Sequence, residues 1–223
     1  MAENQGKAAQ SSVTGDPTGG TVALLAVVAI LLGLQLAGAV PAASAGLFVP
    51  VLLLAGTAML LLGLLAVRKG ENIIGLFFST FGPFVVSFGL LIIGLEHGWW
   101  GIPPADIPHA EGAFLMAWTI VLTVWFFLSF VLPAIFTLLL TFVDIALWCL
   151  VIGIWNTAAG PQKVAGWLLL ATGAGALYFG AALWLQWVGF ARLPIGRPLI
   201  RLSQPGAAGV PSSASPASPA VSP

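Results

Sequence analysis

Residues 134–155 read AIFTLLLTFVDIALWCLVIGIW, a continuous apolar stretch that contains a single charged side chain, Asp144. A helix needs about 20 consecutive apolar residues to cross the roughly 30 Å hydrocarbon core, because each residue advances it by about 1.5 Å. A run without polar alternation is typical of a helix rather than of a β-barrel strand. The stretch therefore predicts a transmembrane helix.

Five other stretches have the same character. The chain is 59% hydrophobic and 6% charged, whereas a soluble domain has about 25% charged residues. We therefore predict an all-α fold, a polytopic membrane protein with six transmembrane helices. The predicted spans are residues 21–40, 46–67, 73–95, 113–131, 134–155 and 164–188.

The regions outside the spans divide the chain by composition. Residues 1–20 are small and polar and form an N-terminal tail, followed by a six-helix transmembrane domain at 21–190. Residues 191–203 form a basic segment. Residues 204–223 are almost all Ser, Pro, Ala, Val and Gly, which cannot bury enough apolar surface to fold, so this tail is predicted to be disordered.

The basic residues predict the orientation. Lys163 is the single basic residue in the connections 41–45, 96–112 and 156–163. Because basic residues collect in cytoplasmic loops, both termini are expected in the cytoplasm and the 96–112 loop outside, in a multi-pass protein of the cell (plasma) membrane. The remaining connections and tails contain Lys7, Arg68, Lys69, Arg192, Arg197 and Arg201.

The 96–112 loop concentrates polar side chains. Their spacing matches no metal-site type, so we expect a solvated loop and neither a metal nor a cofactor. An enzyme is not expected, because the chain lacks a Ser-His-Asp set, H-E-x-x-H and a phosphate loop. The zero net charge gives no reason to expect nucleic acid as a partner. The loop contains Glu96, His97, Asp106, His109 and Glu111.

Glycines recur at seven-residue intervals in three predicted spans. Seven residues are nearly two helical turns, so each series lies on one helix face. Small residues allow helix backbones to approach closely in lipid, which predicts tight packing and is also compatible with a narrow pore. The series are Gly56, Gly63 and Gly70; Gly75, Gly82 and Gly89; and Gly166, Gly173 and Gly180.

Asp144 is the main polar candidate within a span. A carboxylate at bilayer depth is costly and usually faces a water-filled path, a partner or a proton route. Asp144 is therefore predicted to be a proton-sensitive pore residue. The alternative is a hydrogen-bonded structural residue at a subunit contact, with Thr137, Thr141 or Trp148 on its helix face as partners.

Pro83 interrupts the third span. It cannot donate a hydrogen bond to the carbonyl of Ser79, which predicts a kink. A freed carbonyl in the membrane needs water or a partner. Ser79, Thr80 and Phe81 could therefore line a pore, although a purely structural kink fits equally well.

Several motifs resemble those of the acetate uptake transporters (the succinate–acetate permeases). In the last span and after it, residues 165–167 (AGW), 173–178 (GAGALY) and 193–196 (LPIG) resemble the family's AGW…GAxAxY…LPxG run. Residues 63–70 (GLLAVRKG) are similar to its GxxEYxxGN turn, and 78–82 (FSTFG) to FTSYG. The resemblance covers about residues 16–196.

The resemblance implies a six-helix protein that assembles as a homo-oligomer, a hexamer, with one path for acetate or a related short monocarboxylate in each protomer. The family's hydrophobic waist corresponds to Leu25, Phe81 and Val143. Of the family's NPAPLGL signature, residues 16–22 (DPTGGTV) retain only Pro17. The path is thus less polar than is usual in the family, and its polar candidates are Gln35, Ser79, Thr80 and Asp144.

Three functions remain open. The first is a channel or proton-linked transporter (symport) for acetate or a related monocarboxylate, with the lipid bilayer and the solute as partners. The second is a channel for small neutral solutes of the urea and amide type. The third is a structural membrane protein that has lost transport, which the altered NPAPLGL-like stretch would favour.

Overall fold

The computed structural model describes residues 17–201. Each of its six long helices is long and apolar enough to cross a membrane, and the described part contains no strand, so the all-α, six-helix prediction is confirmed. The helices are α1 (Pro17–Leu36), α2 (Val49–Arg68), α3 (Asn72–Glu96), α4 (Ile107–Leu128), α5 (Ala134–Trp155) and α6 (Ala159–Trp187). Short 3₁₀ helices at Ala42–Phe48 and Ser129–Val131 precede α2 and follow α4.

Three helices begin at least four residues earlier than the predicted spans. α1 begins at Pro17 rather than residue 21, α4 at Ile107 rather than 113, and α6 at Ala159 rather than 164. Proline fits the first turn of a helix, because its missing N–H needs no intrahelical acceptor there. The predicted 1–20 tail is therefore helical from residue 17, and its remainder and the predicted disorder of 204–223 lie outside the described residues.

The predicted polar loop 96–112 is too long. Glu96 is the last residue of α3, while His109 and Glu111 lie in the first turns of α4. Pro108 occupies the first turn of α4. The connection between the two helices is therefore residues 97–106.

Glycines bring the α2 and α3 backbones together. A Cβ added at Gly56 would lie 2.7 Å from the Gly82 carbonyl oxygen, and one added at Gly63 would lie 2.8 Å from that of Gly75. Such distances leave no room for a side chain on either helix, so α2 and α3 are joined by direct backbone contact.

α1 and α6 pack in the same way at one end. A Cβ at Gly33 would lie 2.9 Å from the Gly166 carbonyl oxygen. The contact loosens along the helices, because the nearest atom to a Cβ at Gly180 would be 3.5 Å away. Gly70 lies outside α2 in a turn with φ of +91°, a conformation that glycine adopts without strain.

One end of the bundle gathers both described chain termini and two helix connections. The Thr18 hydroxyl at the start of α1 donates to the Glu71 carboxylate between α2 and α3. The backbone N–H of Ile200 donates to the carbonyl of Phe130 between α4 and α5, at 2.9 Å. We call this the terminal end, and the opposite end, which carries residues 97–106, the loop end.

Candidate functional site

A narrow apolar cavity of about 40 Å³ lies at the centre of the bundle. All six helices contribute side chains to it, and every lining residue is apolar. A volume of this size accommodates only a few water molecules, which makes the cavity a constriction rather than a chamber. One lining residue from each helix in turn is Leu25, Leu52, Phe81, Leu115, Val143 and Leu169.

The structure brings the three residues of the predicted waist together. Leu25, Phe81 and Val143 all line this constriction, with 2%, 4% and 3% of their surfaces exposed. α3 runs as one continuous helix through Pro83, so Phe81 stays on the inner face of an unbroken helix. We call the constriction the waist.

A larger cavity of about 360 Å³ extends from the waist toward the loop end. Its polar lining consists of Gln35 on α1, Glu96 on α3 and Glu111 on α4. We call this larger cavity the vestibule. It adjoins the waist, because three side chains line both cavities. The shared residues are Leu32, Phe88 and Leu150.

The opposite side of the waist is closed by aromatic side chains. Phe77 lies one turn before Phe81 on α3, and the two rings are stacked with centroids 5.4 Å apart. Phe77 also contacts Phe136 of α5 edge-on at 5.4 Å, and Phe136 contacts Phe179 of α6 at 6.1 Å. Phe77, Phe136 and Phe179 are each 1% exposed, so their rings fill the bundle between the waist and the terminal end.

Asp144 lies at the contact between α5 and α4 rather than in the waist or the vestibule. It lines neither cavity, and its Oδ1 accepts a 2.7 Å hydrogen bond from the Thr123 hydroxyl of α4. Trp148 Nε1 in turn lies 3.2 Å from the Thr123 oxygen, to which it donates. The half-buried Asp144 therefore links α5 to α4.

The threonines suggested as partners of Asp144 bond elsewhere. The Thr137 hydroxyl donates to the carbonyl of Ser129, and the Thr141 hydroxyl to that of Thr137. A threonine in a helix readily bonds a backbone carbonyl of its own turn. Asp144 is thus hydrogen-bonded within the chain to Thr123, a residue that the sequence analysis did not consider, and not to either predicted threonine.

Of the other polar candidates, only Gln35 lines one of the two cavities, the vestibule. The hydroxyls of Ser79 and Thr80 both donate to the carbonyl of Leu76 at 2.9 Å, and neither residue lines the waist or the vestibule. Sequence reasoning missed Glu96 and Glu111, which it assigned to a solvated loop. The signal available was that both carboxylates adjoin apolar spans on the same side of the membrane.

The two histidines make local contacts near the loop end. His97 Nδ1 lies 2.9 Å from the carbonyl of Ile93, and the His109 ring lies 6.0 Å from the Trp155 ring. Within residues 17–201, no three His, Cys, Asp or Glu side chains are grouped so that they could hold a metal ion.

Comparisons of the sequence and of the structure with known proteins give a family match and a structural match. Residues 3–190 match the sequence model of the GPR1/FUN34/yaaH family. The chain is also similar to a solved structure described as the bacterial acetate channel SatP, with 23% sequence identity and a TM-score of 0.73. The match covers 82% of this chain and 99% of the solved chain, so this chain contains the fold of the solved structure over almost the whole length of the latter. No curated protein sequence matches this chain.

Proposed function

Because the chain belongs to the GPR1/FUN34/yaaH family, we propose that it is a membrane channel or proton-linked transporter for acetate or a related short-chain monocarboxylate. The observation that carries this proposal is the convergence of Leu25, Phe81 and Val143 on one apolar constriction. The polar-lined vestibule that adjoins it is the proposed entrance for a small solute.

The waist favours passage of the undissociated acid. A carboxylate there would lose its hydration and find only apolar side chains, and transferring an unpaired charge out of water is far more costly than transferring a hydrogen-bonding neutral group. Selection would then rest on pore diameter and desolvation rather than on a ring of charges. No step in this passage requires a cofactor or an enzymatic reaction.

The vestibule adds a second discrimination against anions. Glu96 and Glu111 repel acetate when they are ionised, because like charges a few ångströms apart repel by about 1–4 kcal/mol, depending on the surrounding dielectric. The Gln35 amide can donate to and accept from an undissociated carboxyl group. Acidification would favour entry by converting acetate, which ionised carboxylates repel, into the undissociated acid, which they do not repel.

Acetate uptake is therefore expected to rise as the outside pH falls. The test measures the uptake of labelled acetate into proteoliposomes at acidic and neutral outside pH and compares wild type with the double variant Glu96→Gln/Glu111→Gln. Acetate that enters the vestibule as an anion can take up a proton there before it reaches the waist. Removing the repulsion in the double variant is therefore expected to raise uptake at neutral pH by about tenfold, so that its pH dependence flattens. An unchanged pH profile in that variant would remove the vestibule carboxylates from this role.

The same assay tests the prediction that Asp144 is the proton-sensitive group. Its position outside the waist and the vestibule leads us to expect that Asp144→Asn keeps the acid stimulation of uptake. Loss of the stimulation in Asp144→Asn, with the double glutamate variant unaffected, would assign the role to Asp144 instead.

A channel for small neutral solutes is the second candidate function. It is favoured by the same apolar waist, which imposes no requirement for a charge on the solute. Swelling of liposomes in urea and acetamide, without any acetate uptake at either pH, would favour this alternative. The absence of flux for all three solutes would favour a membrane protein that has lost transport.

We further propose that the protein lies in the plasma membrane with both termini in the cytoplasm and forms a homo-oligomer, a hexamer as the family resemblance implies. Support for the orientation is that Arg68, Arg192 and Arg197 all lie at the terminal end, whereas Lys163 lies at the loop end. Exposed apolar side chains such as Leu54 on α2 and Trp167 on α6, 74% and 66% exposed, require lipid or other copies as cover.

A further inference from the structure

The chain after α6 lies against the terminal end of the bundle. Residues 188–201, which we call the C-terminal strap, are fixed there by hydrogen bonds. The Tyr178 hydroxyl donates to the carbonyl of Pro194 at 2.9 Å, and the Ile135 N–H donates to the carbonyl of Ile195 at 3.1 Å. Ile195 also packs against the hydrophobic core, so the strap has a defined inner face.

The outer face of the strap is basic. Arg192, Arg197 and Arg201 are exposed, and within residues 17–201 none of their guanidinium groups pairs with a carboxylate. The Glu71 carboxylate at the same end accepts a hydrogen bond from the Thr18 hydroxyl. The strap therefore presents three positive charges at a fixed position beside the ends of the transmembrane helices.

Large apolar side chains stand among these charges. Phe190, Leu199 and Ile200 are 82%, 65% and 49% exposed, whereas Ile195 in the same strap packs against the core. Basic residues with exposed apolar neighbours are typical of segments that lie in the membrane interface, where the charge meets headgroups and the apolar side chain enters the acyl boundary.

We propose that the C-terminal strap is a docking surface for the headgroups of anionic phospholipids. Arginine suits this partner, because its planar guanidinium can bond two oxygens of one phosphate at once. The apolar side chains distinguish a lipid from a free phosphate, since only a lipid offers acyl chains next to its headgroup. The surface lies away from the waist, so the proposal does not depend on the transported solute.

The test measures lipid binding by the full chain in neutral detergent. Phosphatidylglycerol is titrated into wild type and into Arg192→Gln/Arg197→Gln/Arg201→Gln, and bound lipid is counted by native mass spectrometry. Each arginine near a lipid surface is expected to contribute about fivefold in affinity, so the triple variant should lose roughly a hundredfold. Phosphatidylcholine should bind both proteins equally weakly, and added salt should weaken phosphatidylglycerol binding to wild type.

Two matched variants separate charge from folding. Lys163→Gln removes an exposed basic residue from the loop end and should leave lipid binding unchanged. Replacing the three arginines by lysine keeps the charge but removes the two-oxygen bonding, so the affinity should lie between those of wild type and the glutamine variant. All variants should melt at the wild-type temperature, since the substituted side chains are exposed.

Three results would overturn the proposal. The triple glutamine variant could bind phosphatidylglycerol as tightly as wild type. Inorganic phosphate could displace the lipid at equal concentration, which would make the strap a site for free phosphate. The variant could also lose oligomer mass without losing lipid, which would make the strap a contact between copies of the chain.

Discussion

Replacing Val143 with phenylalanine is expected to reduce acetate uptake by about tenfold or more, which corresponds to a barrier raised by about 1.4 kcal/mol. Val143 lines a waist of about 40 Å³, and a phenyl ring directed into that space would occupy the route that the solute must take. The fold should survive, because inserting extra atoms into a packed interior typically costs about 1–3 kcal/mol.

The matched control for this prediction is Ile145→Phe. Ile145 lies two residues further along α5, is 46% exposed and lines neither the waist nor the vestibule, so a phenyl ring there should leave uptake unchanged. Uptake is measured in proteoliposomes with equal amounts of each protein, whose melting temperatures are checked beforehand. Equal loss in both variants would show that added bulk harms α5 generally, and normal uptake by Val143→Phe would place the solute path elsewhere.

Gly82→Ala is expected to cause the largest loss of stability among single glycine substitutions to alanine in the α2–α3 contact. The new Cβ would lie 2.5 Å from the Gly56 carbonyl oxygen and 2.7 Å from the Leu60 backbone nitrogen, so the two helices must separate. A penalty of about 1–3 kcal/mol for overpacking lowers the melting temperature of a chain of this size by roughly 5 °C.

Gly180→Ala isolates the cause of that loss. Both glycines lie in helices, where alanine has the higher intrinsic propensity. At residue 82 the ring of Pro83 reduces that gain, because it crowds the Cβ of the residue before it. The Cβ at Gly180 would meet its nearest neighbour, the Gly19 carbonyl oxygen, at an ordinary 3.5 Å. Thermal unfolding in detergent should therefore separate the variants clearly, and coincident melting curves would contradict the role of backbone contact at Gly82.

The number and type of the helices could be predicted because they depend on the bilayer. The apolar length needed to cross it is fixed, and six stretches meet it. The helix starts could not be predicted in this way. Hydropathy assigns residues such as Pro17 and Glu111 to a tail or a loop, because they are not strongly apolar, although both are helical. Their inclusion depends on backbone geometry at the first turn.

The candidate site was predictable in its apolar part only. Leu25, Phe81 and Val143 were placed through motif resemblance, and they share one cavity. The vestibule carboxylates were missed because Glu111 was assigned to a loop. The partner of Asp144 was missed because Thr123 belongs to the preceding helix. The sequence of one helix does not show which side chains of a neighbouring helix its residues contact.

The hydrogen bond between Thr123 and Asp144 also bears on how the chain enters the bilayer during synthesis. A carboxylate near the middle of a lone helix penalises its transfer into lipid by about 2.5–3.5 kcal/mol on insertion scales. Thr123 can offset part of that penalty only if α4 already lies beside α5, and the connection between them, 129–133, is short enough to keep them together. Transfer from the translocon into lipid therefore costs the least free energy when α4 and α5 leave together as a hairpin rather than one at a time.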